Sequence, residues 1–332
     1  LYALIAYPNR SILPLEAAIK YLVLSGAASA TILFGFALLY AATGSLEFDT
    51  IGRQLEQPEM GPAVLMVAAA MVFAGMAFKL SLVPFHLWTP DVYDGAPAPI
   101  TGFLASVAKA AVLVVLLRIF LNLDLFRYHR LVELTGLMAI MSMLAGHLLA
   151  LQQTNIKRML AYSSIAHIGY LVIVFMVCSN SDNRSLAVEA AMFYLVAYTA
   201  TTIAAFGLLT LISADRDDRE RVQLQDVGGL FWRQPLLAGL LLVALLSLAG
   251  IPLTAGFVAK FYIVSAAVSG PHWVLLGALV VGSGLGIYYY LRVVYYMSLK
   301  PRDHQQTSAA RPHWRTTSVC LFLIAAILLL GT

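Results

Sequence analysis

Three lysines lie deep inside apolar runs. Lys79 sits in VFAGMAFKLSLVPFHLW, Lys109 in GFLASVAKAAVLVVLL and Lys260 in LLSLAGIPLTAGFVAKFYIV, each without a carboxylate beside it in sequence. An ionisable residue at membrane depth costs ~2.5–3.5 kcal/mol on insertion scales, so it marks either a function or a side chain reaching for an interface. Taking an amine out of water disfavours its charged form and makes its proton easier to surrender, and imidazole titrates near neutrality already. Lysines and a histidine linked by water would therefore make a proton relay.

His86 is placed to join such a relay. It follows Lys79 by seven residues, so an unbroken helix would set the two on one face about 10 Å apart. Pro84 intervenes, and proline removes a donor and clashes one turn back, so the helix should break or kink there. Broken membrane helices occur where the freed backbone lines a polar cavity. The same theme returns at Lys260, which follows an interruption made by Gly250, Pro252 and Gly256. Lys109 is central in its own span, with Ser106 one turn away on the same face. His167 shares a face with Ser163, Ser164 and Tyr170 at spacings of four and three and belongs to a hydrated path on this reading. Each of these has a plainer alternative. The lysines could snorkel to an interface. His86, His147 and His167 could simply hydrogen-bond between helices. Glu189 lies near the outer end of a span and reads as interfacial.

The elements that must hold these groups are membrane helices. Of 332 residues, 61% are hydrophobic and 11% charged, and the mean hydropathy is +0.83. Soluble domains are nearer 45–50% apolar and about 25% charged, so the bilayer must be the solvent. Runs of about 20 apolar residues make spanning helices. They are expected near 16–42, 62–86, 97–122, 132–151, 157–179, 187–213, 236–265 and 272–298, with a truncated one from 317 and the tail of another at 1–7. No segment alternates strictly, which argues against a β-barrel. Both termini fall in apolar runs, which reads as a chain truncated at both ends, and no removable signal peptide is visible.

The loops alternate sides, and their Lys and Arg can be counted. Loops 8–20, 155–158, 214–235 and 299–316 hold twelve: Arg10, Lys20, Lys157, Arg158, Arg216, Arg219, Arg221, Arg233, Lys300, Arg302, Arg311 and Arg315. Loops 43–61, 123–131, 180–186 and 266–273 hold four: Arg53, Arg127, Arg130 and Arg184. The positive-inside rule makes the first set cytoplasmic. The net charge of +4 is thus topology rather than a nucleic-acid surface. Cys178 and Cys320 lack metal-ligand spacing and read as small buried hydrophobes. There is no CxxC, Walker A loop or GxGxxG, so the chain is expected to hold no metal, Fe–S cluster, nucleotide or flavin.

At the candidate residues the chain resembles a known family. FKLSLVPFHLWTPDVYDGAPAPITGFLASVAKAAV resembles the core signature of the antiporter-like subunits of proton-pumping NADH:quinone oxidoreductase, respiratory complex I. LLALQQTNIKRMLAYSSIAHIGYL, LSLAGIPLTAGFVAKFY and GSGLGIYYYLRVVYYM support the likeness, which runs from about residue 16 to 298. VPFHLWTPDVYDGAP looks most like the N-type subunit, the bacterial counterpart of mitochondrial subunit 2. The resemblance implies an all-α, polytopic bundle of two inverted five-helix repeats with two broken helices. Residues 1–122 would end the first repeat, 132–298 would form the second, and 317–332 would begin the last helix.

The resemblance also implies roles. Lys79 would be the pumping lysine, His86 and Lys109 would connect it toward the middle of the membrane, and Lys260 would serve the outlet. Glu16 and Lys20 match charged positions of the family. A glutamate partner for Lys79 would lie just upstream of Leu1. The chain would do no redox chemistry: NADH, FMN, Fe–S clusters and quinone would be bound elsewhere in the complex. Its partners would be the other membrane subunits, through them the peripheral arm, and the lipid of a bacterial inner membrane. Subunits of a multisubunit Na+/H+ antiporter or of an energy-converting hydrogenase, and a non-transporting scaffold, stand as alternatives.

Overall fold

A chain with apolar residues all round its helices has no water to satisfy its backbone, so each spanning segment must close its hydrogen bonds within itself. The computed structural model describes residues 1–7, 12–56, 62–179, 184–213, 222–268, 273–300 and 314–332. Among these, six helices are long and apolar enough to cross a membrane: 12–43, 98–122, 129–151, 156–177, 184–213 and 273–298. Arg10, Arg216, Arg219, Arg221, Arg302 and Arg311, counted in the loop charges, lie outside the described residues.

In chain order the helices are α1 (Tyr2–Ile5), α2 (Ile12–Thr43), α3 (Phe48–Glu56), α4 (Pro62–Leu80), α5 (Trp88–Gly95), α6 (Ala98–Phe103) and α7 (Lys109–Asn122). They continue with α8 (His129–Leu151), α9 (Ile156–Val177), α10 (Arg184–Ser213), α11 (Leu230–Arg233), α12 (Pro235–Ala249), α13 (Ala255–Val268), α14 (Trp273–Ser298) and α15 (Trp314–Leu329). A π-helical turn, Leu104–Ala108, joins α6 to α7. Most expected spans recur within a few residues. Two do not stay whole: 62–86 ends at Leu80 and resumes as α5, and 236–265 divides into α12 and α13. The acidic loop 43–61 contains a helix that the search for long apolar runs passes over. In α3, Phe48 and Ile51 turn inward, and Gly52 lies against the end of α7.

The axis of the bundle is α9, 89% of whose apolar window is buried, against 22% for α2. Small residues let its neighbours approach. A Cβ on Gly146 of α8 would fall 2.8 Å from the Tyr162 carbonyl, and one on Gly169 of α9 would fall 2.9 Å from that of Ala139. Membrane helices associate through such close backbone packing because lipid supplies no hydrophobic drive between them. Contacts across loops agree with the alternation of sides. Arg158 meets Asp91, Ile156 and Leu224 pair with Val222 and Thr154, and Arg184 reaches Asp124.

The two halves of the second broken helix cross closely at Gly256. A Cβ at Gly256 would overlap the Ser247 carbonyl oxygen, whereas Gly239 of α12 has nothing within 4 Å. Gly256→Ala should therefore displace α13, costing about 1–3 kcal/mol as other overpacked sites do. Gly239→Ala should be neutral or slightly stabilising. Thermal melting of the detergent-solubilised protein checks the pair; equal melting temperatures for both variants would contradict this packing.

Candidate functional site

The two breaks are built alike. Ser81, at φ 64, ends α4: its N–H donates to the Phe78 carbonyl, and the Leu82 N–H reaches Ala77. Gly250, at φ 82, ends α12: its N–H donates to Ser247 and Leu246, and the Ile251 N–H reaches Leu246. Both are Schellman closures, which satisfy two of the carbonyls that a helix end leaves over. At α12 the next two, Leu248 and Ala249, accept from Lys260 Nζ at 3.2 and 2.8 Å. At α4 the indole of Trp88 also donates to Phe78, and Ser142 Oγ accepts from the Val83 N–H.

Lys260 thus sits buried on the open end of the helix it follows, with its ammonium 5.3 Å from the centre of the Tyr170 ring. Ser247 Oγ accepts from the Gly256 N–H at the start of α13. Lys109 is buried too. Its Nζ donates to Ser164 Oγ at 2.8 Å and lies 5.6 Å from the centre of the Tyr93 ring. The π turn precedes it directly, an insertion often found at functional positions. Ser106, expected to face with Lys109, instead donates to the Gly102 carbonyl of its own helix.

A file of buried polar side chains lies between these two lysines. Tyr198 of α10 donates to Ser164, and its ring centroid is 5.3 Å from that of His167. His167 meets the Tyr194 hydroxyl at 2.6 Å and that of Tyr290 at 3.4 Å, and Tyr290 is hydrogen-bonded to Ser163. Tyr289 contacts His147 at 3.1 Å, and His147 contacts Tyr170 at 2.6 Å. Hydroxyls and imidazoles can each donate and accept hydrogen bonds, while Tyr198 meets His167 ring to ring and Lys260 meets the Tyr170 ring. A small cavity, with room for about one water molecule, lies among His167, Tyr198, Ser247 and Lys260.

The first lysine stands apart from this file. Lys79, half-buried, donates to Ser29 Oγ of α2 at 3.0 Å. His86 lies in the break after α4 with its Nδ1 buried. Among the described residues no hydrogen bond joins Lys79, His86 and Lys109. The shared helical face expected for Lys79 and His86 ends with the helix at Leu80. Glu16 and Lys20 pair at 2.7 Å, and Lys20 continues to Asp91 at 3.1 Å.

That pair opens onto a cluster the sequence showed only as loop charge. Arg158 holds Asp91 at 2.8 Å, and Asn155 donates to Asp94 while capping α9. Lys157, fully buried, donates to the carbonyls of Asp94 and Ala96 at the end of α5. Of the tyrosines of the file, Tyr170 was legible beside His167, whereas Tyr194, Tyr198, Tyr289 and Tyr290 were missed. Their signal was present: Tyr194, Tyr198, Thr201 and Thr202 recur at spacings of four and three in an apolar run.

Residues 1–286 match the family described as NADH:quinone oxidoreductase/Mrp antiporter, transmembrane. NADH-quinone oxidoreductase subunit N of Methylococcus capsulatus is 52% identical over 328 residues, 98% of this chain and 66% of that protein. The subunit N of Chromohalobacter salexigens is 48% identical over 334 residues, 100% of this chain and 68% of that one. The chain thus spans about two thirds of the length of these relatives. A chain of respiratory complex I from Thermus thermophilus superposes with TM-score 0.80 and 34% identity, over 99% of this chain and 69% of that one. A chain of the archaeal membrane-bound sulfane sulfur reductase gives 0.85 and 28%, over 99% and 65%. One from the Mrp complex of Dietzia sp. gives 0.85 and 22%, over 97% and 66%, a likeness of fold alone.

The Asp91 cluster has a consequence for pH. Burial alone would raise the Asp91 carboxyl, but the hydrogen bonds and charges of Arg158 and Lys20 outweigh it and hold Asp91 below its ordinary 3.8. A depressed folded value means stabilisation that is whole above 3.8 and lost as pH falls through the lowered value. Asp91→Asn should therefore lower the melting temperature at about pH 6, and the gap to the parent should close in acid. A gap that persists undiminished at about pH 2 would show that the carboxylate charge is not its source.

Proposed function

The chain belongs to the NADH:quinone oxidoreductase/Mrp antiporter family of membrane proteins, and from that premise we propose that it works as the N-type subunit of a bacterial NADH:quinone oxidoreductase. In this reading it lies in the inner membrane and carries protons across it. The observation that carries the reading is the buried polar file running from Lys109 to Lys260 through an apolar bundle. Such a file costs stability unless every member is satisfied, and here it is built from groups able to pass a proton. The nearly full-length identity to subunit N proteins supports the choice of complex.

The proposed division of labour is as follows. The redox reaction, with its NADH, FMN, Fe–S clusters and quinone, takes place in other subunits. This chain does no redox chemistry and takes up its share of the energy as shifts of charge within the membrane arm. A proton taken from the cytoplasmic side rests on Lys79, passes by way of His86 to Lys109, crosses the hydroxyl and imidazole file, and leaves from Lys260. A positive charge arriving near one lysine makes its proton easier to release, which couples each step to the next. At Lys260 the carbonyls of Leu248 and Ala249 favour the charged amine, and the desolvation of a fully enclosed site opposes it. Glu16, Lys20, Asp91 and Arg158 tie α2, α5 and α9 together at the cytoplasmic ends and keep the broken helix in register. The two breaks and their lysines stand for two halves related by inverted topology, 1–122 and 132–298, with 317–332 outside them.

The test is NADH-driven proton uptake by vesicles carrying the assembled complex. Lys79→Ala and Lys260→Ala should each reduce it by at least tenfold while the complex remains assembled. His86→Ala should cost less than Lys79→Ala, because its ring is bonded to neither lysine. An assembled Lys79→Ala complex that pumps at the parent rate would sink the relay. Proton movement driven by a Na+ gradient and independent of NADH would assign the chain to the antiporter branch instead.

A further inference from the structure

Two donors approach Ser164 in hydrogen-bond geometry, with the Tyr93 hydroxyl also near it. The Lys109 ammonium lies 2.8 Å from its Oγ and the Tyr198 phenol 2.7 Å, while the same phenol lies 3.0 Å from the Ala105 carbonyl. Tyr198 owns one proton, so it serves one of these two acceptors at a time, and Ser164 likewise has one proton to give. A charged Lys109 has no lone pair and can only donate. Ser164 then accepts from it and turns its own proton to Tyr198, which turns to Ala105. A neutral Lys109 offers a lone pair. Ser164 then donates to it, and Tyr198 swings its proton from Ala105 to Ser164. Every proton stays on its own oxygen; only the hydroxyls rotate.

We infer that Ser164 and Tyr198 form a hydrogen-bond switch whose direction follows the charge of Lys109, with Tyr198 as the residue that positions it. The inference rests on the proton-carrying reading above and names a part of the path that reading leaves undefined. The groups that face Lys109 are Tyr93 from α5, Ser164 and His167 from α9, and Tyr198 from α10. Among the described residues no carboxylate pairs with it, so the charge on the lysine is read by hydroxyls alone. A small cavity, with room for about one water molecule, lined by Ser163, Ser164, Tyr198 and Thr202, adjoins the switch. Thr202 Oγ1 is buried beside the Tyr198 hydroxyl. The His167 ring packs on the Tyr198 ring at 31°. Reversal of the phenol dipole is therefore felt by the next titratable group on the way to Lys260.

The two directions are unequal, which makes the switch testable. Removing the Tyr198 hydroxyl takes the acceptor of Ser164 and the donor to Ala105 from the charged arrangement. From the neutral one it takes only the donor to Ser164. In the assembled complex, Tyr198→Phe should move the alkaline limb of the pH profile of NADH-driven proton uptake to lower pH, by roughly half to one unit. Ser164→Ala should move the limb the same way, and Ser164→Thr, which keeps the hydroxyl, should restore it. An unmoved limb in Tyr198→Phe and Ser164→Ala overturns the switch, whether or not the overall rate falls. If Tyr198→Phe fails to assemble, the Ser164→Ala and Ser164→Thr pair decides by the same criterion. Lys109→Ala separates the two levels. Pumping that survives in assembled Lys109→Ala overturns the proton-carrying reading itself. Pumping lost in Lys109→Ala with an unmoved limb in the hydroxyl variants overturns the switch only.

Discussion

A helix that stops inside a membrane leaves carbonyls with no water to receive them, and much of this molecule answers that constraint. Each unsatisfied group costs several kcal/mol in hydrocarbon, roughly, so a break survives only where a donor is brought to it. Lys260 meets the open carbonyls of α12, and Lys157 meets those at the end of α5. Arg292 donates to Leu151 and Gln153 where α8 ends. A cation at a helix C-terminus gains from the helix dipole as well as from the hydrogen bonds. The buried cations and the helix ends therefore explain one another.

The same constraint shapes the interior. His147 could not occupy the middle of the bundle if α14 carried side chains there. A Cβ at Gly282 would lie 2.9 Å from its ring, and one at Gly286 would lie 3.2 Å away. These glycines come from GSGLGIYYY, which then delivers Tyr289 and Tyr290 inward to the two histidines while Tyr288 points out. Packing and polar satisfaction are set by one short segment. Low dielectric strengthens each bond in such a file and penalises any gap, so its members act as a unit rather than as separate contacts.

The ion-pair cluster of Asp91 and Arg158 and the polar file are joined through the broken helix and the one that caps it. Lys157 and Arg158 begin α9 and grip α5; Ser163, Ser164, His167 and Tyr170 follow on the same helix and line the file. A shift at the surface end of α9 is thereby a shift of the groups that face Lys109. One helix therefore carries both the ion-pair cluster at its start and the polar groups of the interior.

Composition and periodicity alone determined that the chain is a helical membrane protein. Long apolar runs have no other stable form in lipid, and most span boundaries follow within a few residues. Proline and glycine marked both interruptions, and the expense of a buried amine singled out Lys79, Lys109 and Lys260. Sequence could not decide what each lysine touches, because those partners come from helices distant in the chain: Ser29 for Lys79, Ser164 for Lys109, the α12 carbonyls for Lys260. Nor could it tell that Lys157 is buried on a helix end while its neighbour Arg158 keeps a surface ion pair, since both read as loop charge. His86 shows the limit from the other side. Its spacing from Lys79 promised a shared face, and the break that the sequence itself announces at Pro84 removes the helix on which that spacing had meaning.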